Sequence, residues 1–192
     1  MDNAYRLIAG ALTTMALATS AMVVLPYTEV HRLKAPEGLQ PYSASELRGR
    51  QQYINLGCMT CHSQQPRGTE SGVDGSRGWG RPSVPEDYVH DAPPLLGTMR
   101  TGPDLFNIGS RQPSIDWHLG HLYQPRAYVP GSNMPAFPFL FEHKAQAGEG
   151  ERLVSLPEGA APRTGVVVAR PEALDLVNYL LALDRTYPAP QQ

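Results

Sequence analysis

Cysteine is almost absent from this chain: its 192 residues hold two, Cys58 and Cys61. A zinc site built on two cysteine pairs therefore has no second pair to draw on. Runs of lysine and arginine are missing as well, and the formal net charge is -2. Phosphate recognition needs a clustered basic surface, so a nucleic-acid partner is excluded. There is no internal repeat and no low-complexity tract. No Ser/His/Asp constellation, phosphate loop or paired acid site stands out. Proline (19) and glycine (18) are frequent but follow no period, which excludes collagen and points to a loop-rich domain wrapped around something other than its own side chains. With 41% apolar residues, the length suits one ordinary domain plus at most an appendage.

One long apolar run is present. Leu7 to Leu25 carries no charge and, at about 1.5 Å per helical residue, covers about 28 Å, close to the ~30 Å hydrocarbon core of a bilayer. A single transmembrane helix fits, within an anchor region spanning residues 1–34. Thr13, Thr14, Thr19 and Ser20 can bond back to helix carbonyls, while Gly10, Ala11, Ala18 and Ala21 permit close helix contact. The competing reading is a secretory signal peptide cleaved near Thr19-Ser20-Ala21; the length of the run and the single Arg6 before it favour a retained anchor. Residues 35–41, with Pro36, Gly38 and Pro41, read as a short linker, and residues 42–192 as the globular domain. Within it, Ser43 and Glu46 form a capping-box signal for a first helix from about Ser45 to Leu56. Pro171 to Asp184 has proline at its start and apolar residues at 173, 174, 176, 177, 180, 181 and 183, the pattern of a closing amphipathic helix. The expected fold is mainly α, with a possible small β-hairpin inserted.

The two cysteines belong to Cys58-Met59-Thr60-Cys61-His62, the C-x-x-C-H pattern of covalent haem attachment. Two thiols three positions apart share one side of a helical turn and can add to both haem vinyls, and the next residue supplies an imidazole to the iron. A thioredoxin-like pair would need a βαβ context that the chain does not offer. One covalent haem c is thus expected, bound by Cys58, Cys61 and His62. A sixth iron ligand is needed, and Met134 in the polar, proline-bounded loop Gly131-Ser132-Asn133-Met134-Pro135 is the best candidate, with Met99 as its rival. Arg32 and Lys34 after the apolar run outnumber Arg6 before it, which by charge alone would put the domain in the cytoplasm. Haem attachment in bacteria occurs outside the cytoplasmic membrane, so the expected placement is the periplasmic face of the inner membrane.

Gly102-Pro103-Asp104-Leu105 and the Asn-Met-Pro loop, following C-x-x-C-H, resemble class I cytochrome c. That resemblance implies that the Pro103 carbonyl accepts a hydrogen bond from His62, and that Gly49 and Tyr179 form the contact where the first and last helices cross. A more specific likeness spans roughly Tyr42 to Glu142. Gly57 to Gln64, Arg100 to Leu105, Trp117-His118, His121-Leu122, Pro125-Arg126 and Ser132 to Pro135, in this order, are similar to the mono-haem subunit of cbb3-type cytochrome c oxidases. The resemblance implies a non-catalytic electron-transfer subunit that takes electrons from a donor cytochrome c and passes them to a membrane-embedded haem-copper oxidase subunit. A similar subunit of a nitric oxide reductase and a stand-alone membrane-tethered carrier share the same site and stay open. Beyond Glu142 the likeness weakens: apolar runs Leu153 to Leu156 and Val166 to Ala169 around Pro-Glu-Gly read as a β-hairpin rather than a helical insertion.

Other side chains suggest roles without fixing them. Arg100, Arg111 and Arg126 could fork onto haem propionates, Arg100 and Arg126 being those the family-like motifs contain. His118 and His121 could bind a second metal, but no carboxylate or cysteine joins them at ligand spacing, so packing or contact with the haem edge is the expected role. Trp79 and Trp117 are expected in the core or the pocket wall.

Overall fold

The computed structural model describes residues 2–68, 70 and 72–189; the extreme ends of the anchor and domain segments expected above, Met1 and residues 190–192, lie outside these. The chain opens with α1 (Asp2–Thr19), continues through a π-helical turn at Ser20–Val24 and ends this first rod as α2 (Leu25–Val30). Asn3–Val30 is thus one helical span, long and apolar enough to cross a membrane, and none of it is buried. The π turn has an identifiable cause. Pro26 has no N–H to donate and its ring crowds the preceding turn, so the widened turn lets the helix continue past it. Thr13 and Thr14 donate their hydroxyls to the Ala9 and Gly10 carbonyls at 2.8 and 2.9 Å, hiding polar groups along the apolar rod.

Residues 35–41 contain no helix or strand, yet they lie on the domain: Pro36 and Leu39 are buried, and a Cβ at Gly38 would sit 3.1 Å from the Tyr187 side chain. The first domain helix, α3 (Ala44–Asn55), starts where its capping box predicts. Glu46 N–H donates to Ser43 Oγ (3.3 Å) and Ser43 N–H to Glu46 Oε2 (2.6 Å). Short helices α4 (Ile108–Arg111), α5 (Ile115–Tyr123) and α6 (Pro125–Tyr128) follow, then strands β1 (Phe141–Lys144) and β2 (Val166–Ala169), then α7 (Pro171–Ala182).

The core forms where α3 and α7 cross. A Cβ on Gly49 would overlap the Asp175 carbonyl and come within 2.8 Å of Tyr179 Cβ, so only glycine lets the two backbones approach this closely. Tyr179 and Tyr53 are fully buried and meet edge to face at 5.5 Å, with Tyr42 tilted on the other side at 5.6 Å. Outside this apolar contact, Arg48 forks onto Asp175 (2.7 and 2.9 Å) and Ser45 donates to the same carboxylate at 2.6 Å. Helix α7 buries Ala173, Leu176, Val177, Tyr179 and Leu180, the face its apolar spacing predicts.

The sheet differs from the expected hairpin. Strand β2 pairs antiparallel with β1, Phe141 opposite Ala169 and Lys144 opposite Val166. The run from Leu153 contributes only an isolated bridge to Val168 on the other edge, with Val154 N–H to Val167 O and Ala169 N–H to Arg152 O, both 2.9 Å. Buried Phe141 is the better partner for a strand whose residues 167–169 are all buried, whereas Leu153 is half exposed.

Between the haem-type motif and Gly102 the chain is largely irregular, and buried carboxylates organise it. Asp74 pairs with Arg100 (2.7 Å), Asp87 with Arg81 (2.6 Å) and Asp91 with Arg50 (3.1 Å). Each acid is almost fully buried, and each draws a loop onto a cation fixed elsewhere in the chain.

Candidate functional site

Gly57, in the left-handed region at φ +70°, ends α3 and turns the chain into a single 3₁₀ turn, Cys58–Thr60. Cys61 N–H and His62 N–H both donate to the Cys58 carbonyl, at 3.1 and 2.9 Å. This winds both thiols and the imidazole around one turn. All three line a cavity of about 480 Å³ whose other walls come from Gly102, Pro103 and Leu105, from Trp117, His121 and Leu122 of α5, from Leu180 of α7, and from the loop carrying Asn133, Met134 and Pro135. A volume of this size, mostly apolar with a few converging polar groups, suits a prosthetic group.

The imidazole of His62 is held from behind. Its Nδ1 lies 2.7 Å from the Pro103 carbonyl; with the proton on Nδ1, that ring N–H donates and Nε2 is left with its lone pair. Gly102 packs flat against the ring, and a Cβ there would lie 2.7 Å from Nδ1 and 2.8 Å from Nε2. Burial lowers the His62 pKa, opposed by the Pro103 hydrogen bond and by the charge of Asp104, so the ring is a neutral donor at physiological pH. Burial likewise pushes the Cys58 thiol up to about 11. A thiol so protonated is a poor zinc ligand and a poor redox nucleophile. Both cysteines are free, and among the described residues no group of three His, Cys, Asp or Glu side chains is arranged to hold a metal ion.

Met134 is half-buried, packs on the core and lines the cavity. Met99 is 59% exposed and does not line it. Trp117 also forms part of the wall, stacked on His121 at 4.4 Å and 10°. Burial, with His118 and His62 nearby, lowers the His121 pKa to about 4, and its Nδ1 is buried without a partner among the described residues. His118 is different: buried, with Nε2 2.8 Å from the Gln112 carbonyl, it ties α5 to the preceding loop. The two histidines therefore do not form a pair of free ligands. Trp79 is a core residue flanked by Arg77 and Arg100 at 5.0 and 5.2 Å from its ring.

None of Arg100, Arg111 and Arg126 lines the cavity. Arg100 is committed to Asp74, to the Gln65 carbonyl (2.6 Å) and to Ser63 Oγ (2.9 Å), and Arg126 is exposed on α6. Of the three arginines considered from sequence, Arg111 is the one with a buried, unpartnered nitrogen: Nε has no partner among the described residues, while Nη2 donates to the Asp104 carbonyl. Sequence reading assigned no role to Asp104 or Ser63, although the acid inside Gly-Pro-Asp-Leu and the polar run Ser63-Gln64-Gln65 were both visible.

The residues present fit a haem. Two thiols and a neutral imidazole stand on one wall, a thioether on another, an apolar volume lies between them, and an unpaired histidine nitrogen is buried in the lining. A mainly helical domain whose cavity fits a haem, following a helix long and apolar enough to cross a membrane, defines a class: haem proteins with one N-terminal apolar helix. Comparison with protein families narrows the class, because the model of the family described as cytochrome C oxidase, mono-heme subunit/FixO, matches residues 2–157. The chain belongs to that family. The match includes the apolar helix and runs beyond Glu142, further than the motifs alone suggest. No curated protein matches the chain.

Proposed function

We propose that this chain carries one covalent haem c and passes electrons from a donor cytochrome c to the membrane-embedded catalytic subunit of a haem-copper oxidase of the cbb3 type. Residues 1–34 anchor it in the bacterial inner membrane, residues 35–41 connect, and residues 42–192 form the haem domain on the periplasmic side. Cys58 and Cys61 hold the haem as thioethers, and His62 and Met134 supply nitrogen and sulfur to the iron. When bound, the haem provides a one-electron ferric/ferrous couple. The chain's own residues do the rest. Pro103 fixes the His62 ring and its tautomer, Gly102 gives the ring its flat neighbour, and Leu105, Leu122 and Leu180 keep water from the cavity. Arg111, with its buried free Nε–H, is the guanidinium assigned to a propionate in place of Arg100 and Arg126.

The observation that carries this reading is the convergence of Cys58, Cys61, His62 and Met134 on one cavity while the only other methionine of the domain outside the motif, Met99, stays outside it. His62 and Met134 together would hold the iron and leave it no open site for substrate. The test is purification from the native membrane, with intact mass and carbon monoxide difference spectra. A haem-sized mass increment, no carbon monoxide binding to the reduced chain, and a copper-containing oxidase subunit co-purifying support the proposal. Co-purification with a nitric oxide reductase, or with nothing, transfers the chain to those alternatives, and a bare polypeptide refutes the site itself.

A further inference from the structure

The hydrogen bond between His62 and Pro103 lies between two stretches of chain laced together on both sides. Gly102 N–H donates to the Cys61 carbonyl at 2.9 Å, and Leu105 N–H donates to the Ser63 carbonyl at 2.7 Å. The carboxylate of Asp104 strengthens this lacing. It is fully buried and accepts from Ser63 Oγ (2.6 Å), Gln65 N–H (2.8 Å) and Phe106 N–H (2.8 Å), so it grips the residues that follow His62 and those that follow Pro103 at once. Among the described residues one cation reaches ion-pair distance of it, and only just: Arg100 Nη2 is 3.9 Å away, while Arg100 makes its closer contact, 2.7 Å, with Asp74. Arg111 faces the same residue from α4: its guanidinium donates to the Asp104 backbone carbonyl and feels the carboxylate only as a more distant charge. Two buried carboxylates thus share the Arg100 guanidinium, and the acid beside Pro103 takes the weaker half.

We propose that Asp104 is a positioning residue for His62, and that the Asp104–Arg100–Asp74 array sets the reduction potential from behind the proximal imidazole. The inference rests on the haem reading given above. Two effects act in the same direction. Holding the Pro103 carbonyl against Nδ1–H makes the imidazole a stronger donor, and a partly uncompensated buried anion favours the more positive, oxidised centre. Both lower the potential. Removing the anion must then raise it, and removing the cation must lower it.

The experiment is a spectroelectrochemical titration of the full-length, haem-loaded chain and of three variants: Asp104→Asn, Arg100→Gln and Arg100→Lys. At a fixed ambient potential, Asp104→Asn lowers the ferric-to-ferrous ratio about tenfold, which for one electron is about 59 mV upward. Arg100→Gln moves the midpoint downward, and Arg100→Lys, which keeps the charge, leaves it near the wild-type value. All variants retain the methionine-to-iron charge-transfer band. A purely structural role would lower the melting temperature of Asp104→Asn and Arg100→Gln without giving their midpoints opposite signs. Midpoints that shift in the same direction, or not at all, overturn the proposal. Should Asp104→Asn fail to mature, the Arg100→Gln and Arg100→Lys pair decides alone, because unequal midpoints in that order are required. A wild-type chain without covalent haem by mass would instead overturn the haem reading, so the two failures are told apart.

Discussion

The glycine pressed against His62 offers the sharpest test of the site. In Gly102→Ala the new methyl carbon would overlap Cε1 of the ring and lie 2.7 Å from Nδ1 and 2.8 Å from Nε2, where ordinary contact begins near 3.4 Å. The backbone at Gly102 is not in the left-handed region, so the effect is steric. To clear its nearest atom, Cε1, the ring must retreat by about 1 Å, enough to spoil a 2.7 Å hydrogen bond to Pro103. Overpacking of this kind costs about 1–3 kcal/mol, and the lost bond adds about 1 kcal/mol. For a chain of this size each kcal/mol lowers Tm by about 2–4 °C, so a fall of about 5–15 °C is expected. The assay is thermal unfolding of the haem-loaded protein followed in the Soret band, with Gly68→Ala as control. A Cβ at Gly68 meets nothing nearer than 3.9 Å, and that variant should melt with the wild type. The midpoint potential of Gly102→Ala should also move, since the ring loses its partner. If Gly102→Ala melts within about 2 °C of wild type with an unchanged potential, the ring is not held as described.

Other consequences can be checked with the same preparations. Met134→His should retain haem, lower the potential and abolish the methionine-to-iron band, whereas Met99→Leu should leave spectrum and potential unchanged; a band lost in Met99→Leu instead would reverse the assignment. The Cys58→Ser, Cys61→Ser double variant should show the mass of bare polypeptide, and a covalent haem adduct surviving in it would be incompatible with thioether attachment. At Asp87, burial pushes the carboxyl pKa up, but hydrogen bonds from Arg81, Val84 N–H and Tyr187 outweigh it and hold the pKa below the usual carboxylate range. A folded-state pKa below the unfolded one means stability that is complete above about pH 4 and is lost as pH falls through the folded value. Asp87→Asn should therefore cost about 3 kcal/mol in urea unfolding at pH 7, and the gap to wild type should narrow towards pH 3; a gap that stays constant with pH would exclude Asp87 as the source.

Local chemistry was what the sequence made legible. Ser43 and Glu46 mark the start of α3 because a capping box closes within four residues, and the apolar spacing after Pro171 marks α7 because a helix face repeats over one element. Cys58, Cys61 and His62 need only one turn of chain. Met134 could be preferred over Met99 from its loop, and their unlike exposure supplies the physical reason. The strand partner of Val166–Ala169 could not be read this way, because Leu153 to Leu156 and Phe141 to Lys144 offer similar patterns. Burial of Phe141 in the common core settles the pairing, and burial is a property of the whole fold.

The arginines show the same limit from the side of charge. Arg100 stands two positions before Gly102 of Gly-Pro-Asp-Leu, which makes a haem propionate its natural partner as long as the chain is read in line. Folding brings it two other anions, Asp74 from 26 positions away and Asp104 from the next turn, both almost fully buried. A propionate at a cavity edge can be satisfied by water, whereas an unpaired carboxylate in the interior cannot. The buried acids therefore have the stronger claim on the guanidinium. Arg111, which sequence could not distinguish from the others, is left with a buried N–H to offer. Residue type gives the charge but burial decides which anion most needs it, so the nearness of an arginine to the motif in sequence does not fix its partner.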